Sequence, residues 1–340
     1  MTVRVGFVGV GGRAVTEMAD LVRLPNVEIV ALCDVSLERC QAGVRKVVAA
    51  LGAEKAPTRA TQFTSVAEML RQADPDAVYV SLPPFAHGEV ERQIVGAGKA
   101  ICVEKPVALD MATAREIQAI VEGSGVVSAV GYQLRYGTTV TRAKQILEGR
   151  TIGLVAAVRL ATLPDSPWWR VQAKSGGMLV EQHTHGIDLM RYLVGEVESV
   201  YAIADTRLLK EVPDLSIHDV NSATLRFANG AVGCILNSCA VPHSGLVPLG
   251  NGIHIVAKDV TISLDFAKLT AVYADGRVEV LAEDPDTNYR LNSAFIGAVE
   301  SGDRSQILSD YTDGVRTFEV TYATLLAAQR GQVVRLGVGY

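Results

Sequence analysis

The chain has 340 residues, of which 49% are apolar and 20% charged, and a formal net charge of −5. That length exceeds one typical core and predicts two domains, and the apolar share excludes a disordered chain. The acidic balance excludes nucleic acid as the main partner, because phosphate binding needs a basic face. No apolar run reaches membrane-spanning length, and MTVRVGFVGV enters a strand at once, without the apolar core and cleavage site of a signal peptide. The five cysteines Cys33, Cys40, Cys102, Cys234 and Cys239 contain no CxxC pair. They imply no disulfide framework, and a cytoplasmic location is expected.

In chain order, VRVGFVG (3–9) reads as a buried strand ending in glycine, followed by a helix from Gly12 to about Leu24. VEIVALCD (27–34) is a second strand and Ser36 to Leu51 a helix. DAVYVSL (76–82) and AICVEK (100–105) are further strands, with a helix in HGEVERQIVGAG between them. Asp110 is placed to cap the helix LDMATAREIQAIVEGS, and VVSAVGYQ (126–133) is the last strand of this kind. Apolar strands spaced by helices predict a doubly wound α/β domain with a parallel sheet covered on both faces, at residues 1–130.

Beyond that point the pattern changes. A helix over 139–148 and the strand LVAAVRLATL (154–163) lead to a helix carrying EQHTHGID (181–188). Strand-like segments then follow: VESVYAIAD, SATLRFANG, AVGCILNSCA, GIHIVAK, VTISLDF, KLTAVYA and RVEVLAE. Asn229-Gly230 and Asp275-Gly276 are hairpin signals. Two helices close the chain. Residues 131–340 are therefore expected to form an α+β domain on a large, mainly antiparallel open sheet.

Three motifs carry chemistry. GVGGRA (9–14) fits the dinucleotide fingerprint through Gly9, Gly11 and Ala14, with Gly12 and Arg13 inside it. Gly9 permits the turn, Gly11 lets a pyrophosphate approach, and Ala14 keeps the helix close to the sheet. Asp34, twenty residues after Ala14, stands where a carboxylate accepts from both ribose hydroxyls and repels a 2′-phosphate, so NAD is expected over NADP. Arg39 nearby could accommodate that phosphate. The second motif, Glu104-Lys105-Pro106, closes a strand at the sheet edge where ligands of open α/β sheets bind. A lysine there can stabilise negative charge on a substrate oxygen, and a surface ion pair is the plain alternative. In the third, spacings of four and three put Glu181, His185 and Asp188 on one helix face. His183 and His185 point apart, which argues against a metal, and none is expected.

Together GVGGRA, Asp34, EKP at 104–106 and the acid-x-x-x-His helix at 181–185 resemble the Gfo/Idh/MocA oxidoreductases over nearly the whole chain. The resemblance implies a Rossmann domain followed by a substrate domain, and hydride exchange between NAD or NADP and a hydroxyl or carbonyl carbon of a sugar or cyclitol. It implies Lys105 and His185 as catalytic groups, with Glu181 where aspartate is common and His183 where many members have glycine. It also implies dimers or tetramers packed through the second sheet. Pro83, His87, Glu104, Lys105 and Gln133 are expected near the cofactor, although His87 reads more readily as structural. Arg135, Tyr136, Trp169, Arg170, Glu181, His185 and Asp188 are expected near substrate, with Trp168 and Trp169 either a sugar platform or packing anchors. Two other activities are consistent with the same residues: a non-catalytic NAD-binding sensor, and a glycoside hydrolase that uses NAD transiently.

Overall fold

The computed structural model describes residues 2–242, 250–265 and 267–337, so Phe266 of the expected strand VTISLDF lies outside the described residues. The chain begins β1 (Val3–Val8), α1 (Gly12–Leu21), β2 (Val27–Cys33), α2 (Leu37–Leu51), β3 (Thr61–Phe63), α3 (Val66–Ala73) and β4 (Ala77–Val80). It continues with α4 (Glu89–Gly96), β5 (Ala100–Val103), α5 (Met111–Ser124), β6 (Ser128–Val130), α6 (Thr138–Leu147) and β7 (Ile152–Leu160). Next come α7 (Gln172–Ser175), α8 (Gly177–Glu181), α9 (Thr184–Val194), β8 (Val197–Asp205), β9 (Val220–Phe227) and β10 (Val232–Ser238). The rest is β11 (Gly252–Ala257), β12 (Val260–Leu264), β13 (Lys268–Tyr273), β14 (Val278–Ala282), α10 (Thr287–Ser301), α11 (Tyr311–Arg330) and β15 (Val334–Arg335).

Local chemistry explains the helix starts. Ser36 accepts from the Arg39 amide, Ser65 from the Glu68 amide and Asp110 from the Thr113 amide, each satisfying a donor the helix cannot pair internally. β3 and α3 were not expected. A three-residue strand and an eight-residue helix are too short to display a periodicity.

The first sheet is parallel throughout, in the order β3-β2-β1-β4-β5-β6. Strand order reverses between β1 and β4, the position at which this class of sheet opens a crevice at its carboxyl edge. The second sheet has nine strands in the order β14-β13-β12-β11-β7-β10-β9-β8-β15, antiparallel except for β7 beside β10. Its inner face carries Val155, Ala157, Ala223, Leu225 and Ile235, which pack with Ile187 and Met190 of α9 in one core cluster.

The compact units do not follow the expected contiguous split at residue 130. One contains Met1–Gln133 together with Asp286–Val315, and the other Leu134–Pro285 together with Arg316–Tyr340. The return of α10 to the first unit has a packing cause. Phe295 meets the Tyr79 ring edge-on at 5.5 Å between centroids, and Tyr79 stacks on Phe7 at 5.1 Å. Late residues thus complete the core that the first strands begin, a pairing between distant segments that local pattern does not encode.

Candidate functional site

Gly9 ends β1 with φ +84, and a Cβ there would stand 2.4 Å from the Ser81 carbonyl oxygen, so no other residue fits. A Cβ on Gly11 or Gly12 would meet nothing within 4 Å, which leaves open space over the turn. Helix α1 starts at Gly12 with Gly11 as its cap and no side-chain hydrogen bond to its first-turn amides. Ala14 is fully buried against the sheet. Uncapped amides beneath open space are the arrangement a pyrophosphate requires, so the fingerprint residues fit a dinucleotide. Asp34, just after β2, braces the turn: its carboxylate accepts from the Val10 amide at 2.8 Å and the Val35 amide at 2.7 Å. Arg39 approaches it at 4.0 Å from an exposed position.

Past β5, the Glu104 amide donates to the Val80 carbonyl, fixing the backbone immediately before Lys105. Lys105 is half-buried and joined to Pro106 by a cis bond. Arg13 and Glu104, both expected at the cofactor, direct their side chains to each other at 2.5 Å. Arg13 also reaches Glu17 at 2.5 Å and Asn288 at 2.6 Å. The free oxygen of Glu17 accepts from Asn288 at 3.1 Å and Asn292 at 2.6 Å. Burial pushes the Glu17 carboxyl up to about 7, with Arg13 opposing and Glu104 adding to the rise. Glu17, Asn288 and Asn292 were missed from sequence. The signal available was the four-residue spacing of Arg13 and Glu17, which is common on ordinary helix surfaces.

His87 follows a one-turn 3-10 helix that Pro83 precedes. Its imidazole is buried against Glu91 at 2.6 Å, and the other Glu91 oxygen accepts from the Gly88 amide. Burial works to raise the Glu91 carboxyl, but His87 and the amides outweigh it and hold it below the usual carboxylate range. Glu91 thus caps α4 at the Gly88 amide and holds the buried His87 imidazole, whose Nε2 has no partner among the described residues. Gln133, at the end of the first unit, has a buried Oε1 without a partner among the described residues.

In the second unit the expected single helix over the histidine motif is two. The amides of Gln182 and His183 converge on the Met178 carbonyl at 3.1 and 2.8 Å, which ends α8 and lets α9 begin at Thr184. Glu181 is the last residue of α8 and His185 the second of α9, so they do not share one continuous helix face. Glu181 is buried and accepts from Gln182 at 3.0 Å, while Gln182 accepts from Arg159 at 3.0 Å. His185 is half-buried. His183 is 2% exposed, and burial, with Arg159 adding, depresses its imidazole to about 3. Its Nε2 lies 2.8 Å from where a Cβ on Gly186 would stand, so that glycine makes room for it.

Asp188 and Arg135, expected to face substrate, are buried and bonded to each other. Arg135 donates from Nε at 2.8 Å and from Nη2 at 2.6 Å, and Thr317 donates to the same carboxylate at 2.9 Å. Arg191 then donates to Thr317 at 2.7 Å and pairs with Glu196. Trp169 is likewise an anchor, packed with Met178, Ile217 and Cys239 and stacked on half-buried Trp168 at 5.1 Å. Tyr136 and Arg170 are half-buried, and the Arg170 Nε has no partner among the described residues.

A doubly wound parallel sheet with an open, uncapped glycine turn, joined to a unit built on a broad antiparallel sheet, defines a two-domain dinucleotide-dependent oxidoreductase. The family is equally plain. Residues 3–132 match the oxidoreductase family model with an NAD-binding Rossmann fold, and residues 140–263 match the GFO/IDH/MocA C-terminal domain. The chain belongs to the GFO/IDH/MocA family. It is 27% identical over 240 residues to the myo-inositol 2-dehydrogenase of Thermotoga maritima, covering 69% of this chain and 68% of that protein. It is 25% identical over 353 residues to the 1,5-anhydro-D-fructose reductase of Ensifer adhaerens, covering 99% of each. Its fold matches a levoglucosan dehydrogenase in complex with NADH and levoglucosan, with a TM-score of 0.86, 19% identity, and coverage of 99% of this chain and all of that one.

Proposed function

We propose that the protein moves hydride between NAD and a hydroxyl or carbonyl carbon of a sugar, cyclitol or close derivative. The observation that carries this reading is the open, uncapped turn at Gly11 and Gly12, with Asp34 beside it and Lys105 at the same sheet edge. The relatives that act on inositol, anhydrofructose and levoglucosan support the substrate class. The α1 amides hold the pyrophosphate, and Asp34 accepts from the ribose hydroxyls. Gln133, after β6 and beside the strand leading to Lys105, offers its unpartnered Oε1 toward the nicotinamide end. Asp34 disfavours a 2′-phosphate by charge, which supports NAD over NADP. When bound, the nicotinamide supplies the hydride acceptor or donor.

Lys105 donates a hydrogen bond to the reacting oxygen and stabilises its alkoxide character, and His185 takes or returns that oxygen's proton. An imidazole suits the task because its ordinary pKa, about 6.5, lies near working pH. Glu181 remains the carboxylate partner assigned to His185, acting across the turn at Gln182 rather than along one helix. The Arg135–Asp188 pair is assigned to holding α9, and with it His185, in place.

The partner we assign is a second copy of the chain, on the outer face of the nine-stranded sheet. Val232, Leu154, Val256, Thr261, Val272 and Val278 form one cross-strand row there. All but Thr261 are apolar and between 42% and 57% exposed. So continuous an apolar row favours burial against a like surface. Five free thiols, four of them buried, suit a reducing compartment such as the cytoplasm.

The test is incubation with NAD and a panel of neutral polyols, following absorbance of reduced nicotinamide. Reduction with at least one polyol is expected. Tight NAD binding with no reduction on any of them would instead identify a sensor.

A further inference from the structure

Two carboxylates share one guanidinium beneath the phosphate turn. Arg13 lies in the first turn of α1 and Glu17 one turn later, and Glu104 approaches from the segment that continues into Lys105. Asn288 and Asn292 of α10 complete the cluster, so that helix, the turn and the Lys105 segment meet around a buried Glu17 and a half-buried Arg13. With both carboxylates ionised the cluster carries one excess negative charge, and it sits under the amides assigned to a dianionic pyrophosphate.

We propose that Glu17 is a positioning residue of the cofactor turn, which orients Arg13 between α1 and the Lys105 segment and is coupled by charge to the pyrophosphate, so that binding the dinucleotide draws a proton onto it. The inference rests on the cofactor half of the function proposed above.

Each neighbour bears on the sign. From α1 itself come Arg13 and, through Asn288, Asp20. β5 and its continuation bring Cys102 and Glu104, and burial together with the two carboxylates holds the Cys102 thiol well above its usual range. α10 brings amides that do not titrate. Arg13 keeps its charge throughout, because the paired carboxylates outweigh the burial that opposes it. The Asn292 Oδ1 is buried without a partner among the described residues. Its amide can present Nδ2 to a carboxylate or Oδ1 to a carboxylic acid, leaving one atom unpaired either way. That neighbour therefore does not choose between the two states.

Burial pushes the carboxyl of the unliganded protein up to about 7, so a proton is available to it near neutrality. Ionised Glu17 repels the incoming phosphates, so affinity is highest below that value and falls as pH rises through it. Glu17 stands five positions past Gly12, the first helical residue, about 7.5 Å along the axis. At that range a partly buried charge pair is worth on the order of a tenfold change in affinity.

The test is titration of the full-length protein with NADH, followed by nicotinamide fluorescence, at about pH 6 and about pH 8. The wild-type Kd is expected to rise on the order of tenfold between them. Glu17→Gln, which keeps an accepting oxygen without the charge, should hold the low-pH affinity at both. Glu17→Met, which loses the bonds to Arg13, Asn288 and Asn292, should bind more weakly at both but without the pH dependence. The two replacements keep one folding failure from being decisive. Calorimetry in two buffers of different ionisation enthalpy should show proton uptake on NADH binding near pH 7 for wild type and none for the variants. A wild-type Kd that does not move, or variants that keep the wild-type pH dependence, would overturn the proposal while leaving the cofactor reading intact. Absence of NADH binding at either pH overturns both.

Discussion

Lys105 and His185 are assigned to the reacting oxygen rather than to the dinucleotide, and this separation is measurable. Lys105→Ala and His185→Ala should each lower kcat about 10²–10⁴-fold, while the Kd for NADH changes by no more than about threefold. An equal loss in both quantities would remove them from the chemistry. Asp34→Ala should weaken NAD and raise the relative use of NADP, read as the ratio of kcat/KM for the two cofactors. His183 carries a different prediction. Its imidazole falls from an ordinary value near 6.5 to about 3 in the fold, so the unfolded chain takes up a proton that the folded chain refuses. Its contribution is intact above pH 6.5 and is lost as pH falls, at about 1.4 kcal/mol per pH unit. Urea unfolding at pH 7 and pH 5 should therefore show a smaller acid loss in His183→Leu than in wild type, by about 2 kcal/mol.

At the level of elements, the histidine motif illustrates how a short turn changes what a spacing means. Glu181 and His185 are four apart in sequence, yet the convergence of two amides on the Met178 carbonyl puts them on separate helices. α9 is held both by core packing of Ile187 and Met190 and by the buried Arg135–Asp188 pair, 3% and 1% exposed, tied through Thr317 to Arg191. Asp188→Asn removes one charge and strands the other, at a cost of about 3–5 kcal/mol. Arg135→Met combined with Asp188→Leu removes both and should cost less than either single change, which a double-mutant cycle by chemical denaturation would show. The single variants should also lower kcat through His185 displacement, whereas the NADH Kd should hold.

For the molecule as a whole, the outer face of the second sheet carries the exposed apolar row of Val232, Leu154, Val256, Val272 and Val278, with Thr261 between Val256 and Val272. Replacing Leu154 and Val256 together by aspartate places two charges in the middle of that row, next to each other across β7 and β11. Light scattering should show the wild type as an oligomer and the double variant as a monomer with an unchanged far-UV spectrum. A wild type that is monomeric at micromolar concentration would remove the second copy from the proposal.

The doubly wound sheet, the glycine turn, Asp34 and the broad second sheet were legible because each rests on local periodicity or on fixed spacing from a strand end. Strands of Val, Ile and Ala that are buried on both faces announce themselves, and Gly9 is fixed by a backbone contact that any such turn must make. The placement of α10 in the first unit, the diversion of Arg135, Asp188, His87 and Trp169 into buried partnerships, and the Glu17 cluster were decided only by tertiary structure. A charged side chain is assigned by what lies opposite it once the chain has folded. Asn288 opposite Glu17, or Arg135 opposite Asp188, is separated from it by many residues of sequence. The chain's local pattern determined which surfaces had to be buried, and long-range packing determined which charges were spent in burying them.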